Sequence, residues 1–179
     1  MNKKTISGYC IVLVLSFLLH ALSPAKTYIH LMLPVFLLLY PIITGYRVKI
    51  SSSPKDIVIG IAITLLILVP YGIAFRAQMT DLTPYFIAFQ FISVAFPEEF
   101  FFRGFIQDSL GKNYKSIVLA SLLFALAHLP KTIFGGDWIV LLSFFPSLIM
   151  GWLYLKTNNI LPGIIFHWLA NLIQQSIPG

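Results

Sequence analysis

A chain of 179 residues in which 58% are hydrophobic and only 10% charged is far more apolar than a soluble domain, where about a quarter of residues carry charge. It reads as an integral, multi-pass membrane protein. The formal charge of +6 is spread as single Lys and Arg residues between apolar runs, which excludes a nucleic-acid patch and points to lipid headgroups, and the single cysteine, Cys10, excludes an intrachain disulfide and reads as a small buried hydrophobe.

The chain opens on Met1-Asn2-Lys3-Lys4 and an apolar stretch that imitates a secretory signal. That stretch continues through Leu19 with no Ala-x-Ala cleavage site ahead of Pro24, so a retained first helix over Ile6 to Leu22 is predicted. Further runs follow at Tyr28 to Tyr46, Ile57 to Phe75, Tyr85 to Phe105, Ser116 to Leu129, Trp138 to Leu155 and Leu161 to Ile177. Each is long enough, or nearly so, to cross about 30 Å of hydrocarbon. The expectation is an all-α, polytopic bundle of about seven transmembrane helices. Pro34, Pro41, Pro70, Pro97 and Pro146 fall inside runs, where neighbouring helices satisfy the freed carbonyls. No linker or charge run divides the chain, so 1–179 is read as one membrane domain. No internal repeat marks an inverted-repeat transporter.

Loop charge sets the sidedness. Lys3, Lys4, Arg47, Lys49, Lys55, Lys112, Lys115 and Lys156 collect at one end of the runs, and Lys26, Arg76 and Lys131 at the other. The positive-inside rule then places the N-terminus in the cytoplasm and Gly179 outside.

Polar groups inside the runs are costly in hydrocarbon and read as functional by default. They are Glu98, Glu99 and Arg103 on the fourth run, His128 on the fifth, and His167 and Asn171 on the seventh. Glu99 and Arg103, spaced i and i+4 with the acid first, share a helix face and are expected to pair. Glu98 is turned about 100° away and is the freer carboxylate. Pro97 cannot donate to the Ser93 carbonyl, so a kink with a spare acceptor for water is expected beside Glu98. His167 and Asn171 project from one face of their helix. At 1.5 Å per residue, Glu98 lies about 20 Å from Tyr85, His128 about 18 Å from Ser116, and His167 and Asn171 about 9 and 15 Å from Leu161. These depths converge on one layer, displaced toward the cytoplasmic half. His20 and His30 lie near the outer ends of the first two runs and are assigned to packing. The phenylalanines, Phe100 to Phe102 included, are read as lipid-facing and interhelix packing. Gly104, Gly151 and Gly163 are read as close helix approaches.

Three motifs occur in order, each on a predicted helix: Glu98-Glu99-Phe-Phe-Phe-Arg103, Phe124-Ala-Leu-Ala-His128 and His167-Trp-Leu-Ala-Asn171. Together they resemble the CAAX protease and bacteriocin-processing (CPBP, or Abi) family of intramembrane proteases, over about Tyr85 to Ile177. The stretch Gly151 to Pro162 is similar as well. The resemblance implies an intramembrane endopeptidase with a four-helix catalytic core over 85–177 and three accessory helices over 1–84, in a bacterial or archaeal cell membrane. Its substrate is expected to be a membrane-associated peptide or protein.

The resemblance further implies that Glu98, His128, His167 and Asn171 form the catalytic set, with Glu99 counted among the catalytic residues as positioning Glu98 or the leaving group, and Arg103 and Phe124 in support. Glu98 would activate a water that His128 holds, and His167 and Asn171 would donate to the oxyanion. No cofactor is required in this scheme. A zinc version, with Glu98, His128 and His167 as ligands, stays open, as does a scaffold or immunity protein that binds peptide without cutting it. Relatives that trim prenylated CAAX proteins resemble an eight-helix bundle; with seven runs and nothing after Gly179, whether the substrate is prenylated stays open, as does the oligomeric state.

Overall fold

The computed structural model describes residues 2–22, 31–78 and 82–177. Among them the chain forms seven helical rods and no strand: α1 (Lys3–Leu22), α2 (Met32–Ile43), α3 (Pro54–Ala74), α4 (Pro84–Leu110), α5 (Tyr114–Gly135), α6 (Ile139–Thr157) and α7 (Leu161–Gln175). All but α2 and α7 are long and apolar enough to cross a membrane. The start of the second run at Tyr28, the packing role of His30 and the sides assigned to Lys26 and Gly179 lie outside the described residues.

Local chemistry sets the boundaries. Pro54 and Pro84 open their helices, where a missing N–H costs nothing. Thr83 caps α4 by accepting from Phe86 N at 3.1 Å. Asn113 and Ser116 form a reciprocal capping box that starts α5. Gly111, at φ 102°, turns the chain after α4, and Asn158, at φ 51°, ends α6.

The rods alternate in direction, so like ends gather. At one end Thr5 Oγ1 donates to Ser109 Oγ (3.1 Å), Lys49 pairs with Asp108 (3.6 Å), and Ile160 N donates to Lys49 O (3.2 Å). At the other, Gln78 N donates to Ser176 O (2.6 Å). The first end carries the lysine-rich loops. Around the outside, Leu65, Leu66, Ile73, Ile42 and Ile139 present apolar surface, which suits contact with acyl chains. Cys10 belongs to this outer surface: it is exposed, not the buried hydrophobe expected from its apolar setting.

α4 is the central rod. Every residue from Phe100 to Gln107 is buried, because helices α2, α5, α6 and α7 all pack on it. Phe100, Phe101 and Phe102 therefore lie in the interior with no lipid contact, a correction to half of their expected role. Around Pro97 the rod changes its winding. The rod is π-helical over Gln90–Ala95 and again over Phe100–Gln107, with a short α-helical stretch, Phe96–Glu99, between them. Such winding is an established way for a helix to absorb a missing backbone bond, and it occurs frequently at functional sites.

Candidate active site

Glu99 is fully buried, and each of its oxygens has a task. Oε2 meets Arg103 Nε at 3.3 Å and Oε1 meets His167 Nδ1 at 3.2 Å. A carboxylate oxygen accepts, so His167 Nδ1 carries the proton. Arg103, also fully buried, donates from Nη2 to Ser147 Oγ on α6 at 3.1 Å. The expected Glu99–Arg103 pair thus exists, and it extends to two further helices. The other ring nitrogen of His167, Nε2, faces Glu98 Oε2 at 3.7 Å. His167 is therefore held between the two acids.

Glu98 is the freer acid, as its turn of helix predicts. Its Oε2 is buried without a hydrogen-bond partner among the described residues. A buried carboxylate oxygen left alone loses its hydration, so a site for water beside it is the physical expectation. Such space is present. Glu98 lines a cavity of about 180 Å³ with Val12, Ser16, His20, Leu33, Leu37, Phe102, Ala127, His128 and Lys131, room for several waters.

His128 faces this cavity because α5 breaks at it. Pro130 opens the next helical segment, and His128 N turns to the Ala125 carbonyl at 3.0 Å. The Phe124 carbonyl then accepts from ring Nδ1 at 2.9 Å. Since a carbonyl only accepts, Nδ1 carries a proton, and in the neutral ring Nε2 is then the acceptor. Phe124 joins the groups from behind. Its buried ring lies 5.0 Å from the Arg103 guanidinium, 4.8 Å from the His128 ring and 5.7 Å from the His167 ring.

Asn171 is placed differently. Its Nδ2 donates to Gln90 Oε1 at 3.0 Å, which leaves one Nδ2 hydrogen for another acceptor. Among the described residues neither His167 nor Asn171 lines the cavity that holds Glu98 and His128. The set is thus arranged in two linked parts: Glu98 with His128 on the cavity, and His167 with Asn171 behind it on α7, joined through the Glu98–His167 contact.

Residues 80–173, more than half of the chain, match the family described as type II CAAX prenyl endopeptidase Rce1-like. The chain belongs to this family. It is accordingly a CAAX-type endopeptidase of the membrane, as the three motifs imply. Comparison with curated proteins and with solved structures finds no match.

Several features of this Rce1-like chain escape sequence reading. Gln90, which holds Asn171, is an amide inside an apolar run, and the rule that singled out the acids applies to it equally. Ser147, the Arg103 acceptor, carries no such signal. His20, assigned to packing in the sequence, lies on the cavity wall with Glu98. Its Nδ1 donates to Ser16 O at 2.8 Å, which leaves Nε2 as an acceptor.

Val12, Leu37 and Phe102, nearly inaccessible, bound the cavity toward the lysine-rich end, while His20, Leu33 and Lys131 lie toward the opposite end.

Among the described residues no group of three His, Cys, Asp or Glu side chains is arranged to hold a metal ion. Glu98, His128 and His167 as placed therefore do not fit the zinc site that their residue types would allow.

Proposed function

We propose that this protein hydrolyses a peptide bond of a membrane-associated protein or peptide with a water activated by Glu98. The observation that carries the reading is that Glu98, whose buried Oε2 makes no hydrogen bond among the described residues, lines one cavity with His128, whose Nδ1 is bonded to the Phe124 carbonyl. Two acceptors on one small cavity suit a water that gives a proton to Glu98 and a second hydrogen bond to His128.

As the water oxygen bonds to the scissile carbonyl carbon, its proton moves to Glu98 and the carbonyl oxygen becomes an oxyanion. Asn171 Nδ2, oriented by Gln90, donates to that oxygen. His167 Nε2 donates to it as well when its ring carries both protons. Collapse breaks the C–N bond, and Glu98 returns its proton to the departing amine. Glu99, Arg103 and Phe124 are positioning residues: Glu99 and Phe124 touch the imidazoles, and Arg103 holds both of them. Preorganised donors of this kind are worth about 2.7–4 kcal/mol each in transition-state stabilisation.

The test uses purified full-length protein and matched quenched fluorescent peptides, one prenylated near its C-terminus and one not. Cleavage of either that disappears in Glu98→Gln supports the reading, and the preferred peptide answers whether a prenyl group is required. Undiminished cleavage by Glu98→Gln ends it.

A further inference from the structure

We infer that Asn159, in the turn between α6 and α7, is a positioning residue for the reaction: it fixes α7 along its own axis and so sets where His167 and Asn171 stand. This rests on the proposed roles of those two side chains and adds the group that places them.

Asn159 is 1% exposed, and its amide makes every hydrogen bond open to it, two accepted and two donated. Oδ1 accepts from Ser51 N at 3.0 Å and from Leu161 N at 3.1 Å, while Nδ2 donates to Ser51 O at 2.7 Å and to Asp56 Oδ2 at 3.2 Å. These bonds join separate parts of the chain. Leu161 is the first residue of α7, Ser51 belongs to the connector before α3, and Asp56 lies in the first turn of α3. With Ser51 the side chain reproduces the double N–H and C=O exchange of paired strands. The backbone repeats the tie beside it, where Ile160 N donates to Lys49 O at 3.2 Å. From the end of α6, Thr157 Oγ1 donates to the Asn159 carbonyl at 3.1 Å.

The direction of these bonds is what makes them a register device. The first N–H groups of a helix point along its axis, so the bond from Leu161 N to Asn159 Oδ1 resists sliding of α7. Sideways, the same turn is already wedged: a Cβ added at Gly60 of α3 would stand 2.9 Å from Pro162 Cα, and one at Gly163 would stand 2.7 Å from Glu99 Oε2. Apolar contacts tolerate a small slip along a groove, whereas a hydrogen bond weakens steeply with misalignment. His167 and Asn171 lie about 9 and 15 Å from Leu161 on the same rod, so both move with its start. Their contacts, His167 Nδ1 to Glu99 Oε1 at 3.2 Å and Asn171 Nδ2 to Gln90 Oε1 at 3.0 Å, are of a length that a slip of about 1 Å misaligns.

The test uses full-length protein in detergent with 15N-labelled histidine rings, each signal assigned by its loss in a histidine variant. Asn159→Ala is expected to lower kcat on the quenched peptides by about 10- to 10²-fold with little change in KM. It is also expected to shift the His167 ring signals and to leave those of His128, on α5, to which none of these bonds runs. Asn159→Asp keeps both accepted bonds but sets a carboxylate against Asp56; its kcat is expected to fall and to be partly restored by adding Asp56→Asn, which removes the like charge and supplies a donor. This second pair decides the matter where Asn159→Ala yields no folded protein. Parental kcat and unmoved His167 signals in Asn159→Ala, with only the melting temperature lowered, overturn the inference, as does a double variant no faster than Asn159→Asp alone. The ring signals need no turnover, so this failure is separate from that of the catalytic reading, which Glu98→Gln cleavage decides.

Discussion

Glu98 and Glu99 are neighbours in sequence with opposite circumstances. Glu99 is fully buried between Arg103 and His167, whereas Glu98 lines a cavity and has His167 Nε2 3.7 Å from its Oε2, beyond hydrogen-bond reach. The division of labour follows: the sealed acid orients an imidazole, and the open one handles water. Glu98→Gln is expected to abolish peptide cleavage while leaving the protein folded, since the amide keeps shape and loses basicity. Asn171→Ala is expected to lower kcat by about 10²–10³-fold, the usual effect of losing one oxyanion donor, and Gln90→Leu should move kcat in the same direction by less. Steady-state rates on the quenched peptides measure all three. Arg103→Met is a different case. It leaves the Glu99 carboxylate buried without its cation, so a loss of about 3–5 kcal/mol in stability is expected, read as a lowered melting temperature in detergent. The i, i+4 spacing made this pair legible in the sequence, whereas its link to Ser147 on α6 needed the packing of two distant helices.

At the scale of the element, α4 departs from a uniform α-helix and α5 breaks at His128, and these two irregularities build the site. Pro97 and Pro130 mark both in the sequence. A proline announces a lost backbone bond, but not whether the helix answers by kinking, breaking or winding wider. α7 reaches the acids through a small residue: a Cβ added at Gly163 would stand 2.7 Å from Glu99 Oε2. Gly163→Ala must therefore shift Glu99 or separate α7 from α4. A displacement near 1 Å costs on the order of 10²-fold in rate, so kcat is expected to fall with the protein still inserted in the membrane. Unchanged kinetics would show that Glu99 moves without consequence for His167.

At the scale of the molecule, the cavity draws on helices outside the 80–173 match. Val12, Ser16 and His20 of α1 and Leu33 and Leu37 of α2 form much of its wall, so the helices read as accessory in sequence take part in the site. Ser16→Phe is expected to fill the space beside Glu98 and to depress cleavage strongly while the motifs stay intact. If Ser16→Phe cleaves at the parental rate, the cavity is not on the reaction path. Incubation with a zinc chelator is expected to leave the rate of the parental protein unchanged if Glu98 activates the water without a metal, and a loss restored by added zinc would favour the zinc version.

The sequence by itself determined that this is an all-helical membrane protein, that its polar chemistry lies on the fourth, fifth and seventh runs, and that Glu99 pairs with Arg103. Composition, run length and i, i+4 spacing are local quantities, and hydrocarbon makes every buried polar group conspicuous. Tertiary structure alone decided that Gln90 orients Asn171, that His20 shares the wall with Glu98 and that the cavity extends away from the lysine-rich end. Those facts depend on how separate helices meet and on where winding turns each side chain, and neither is a property of any single stretch of chain.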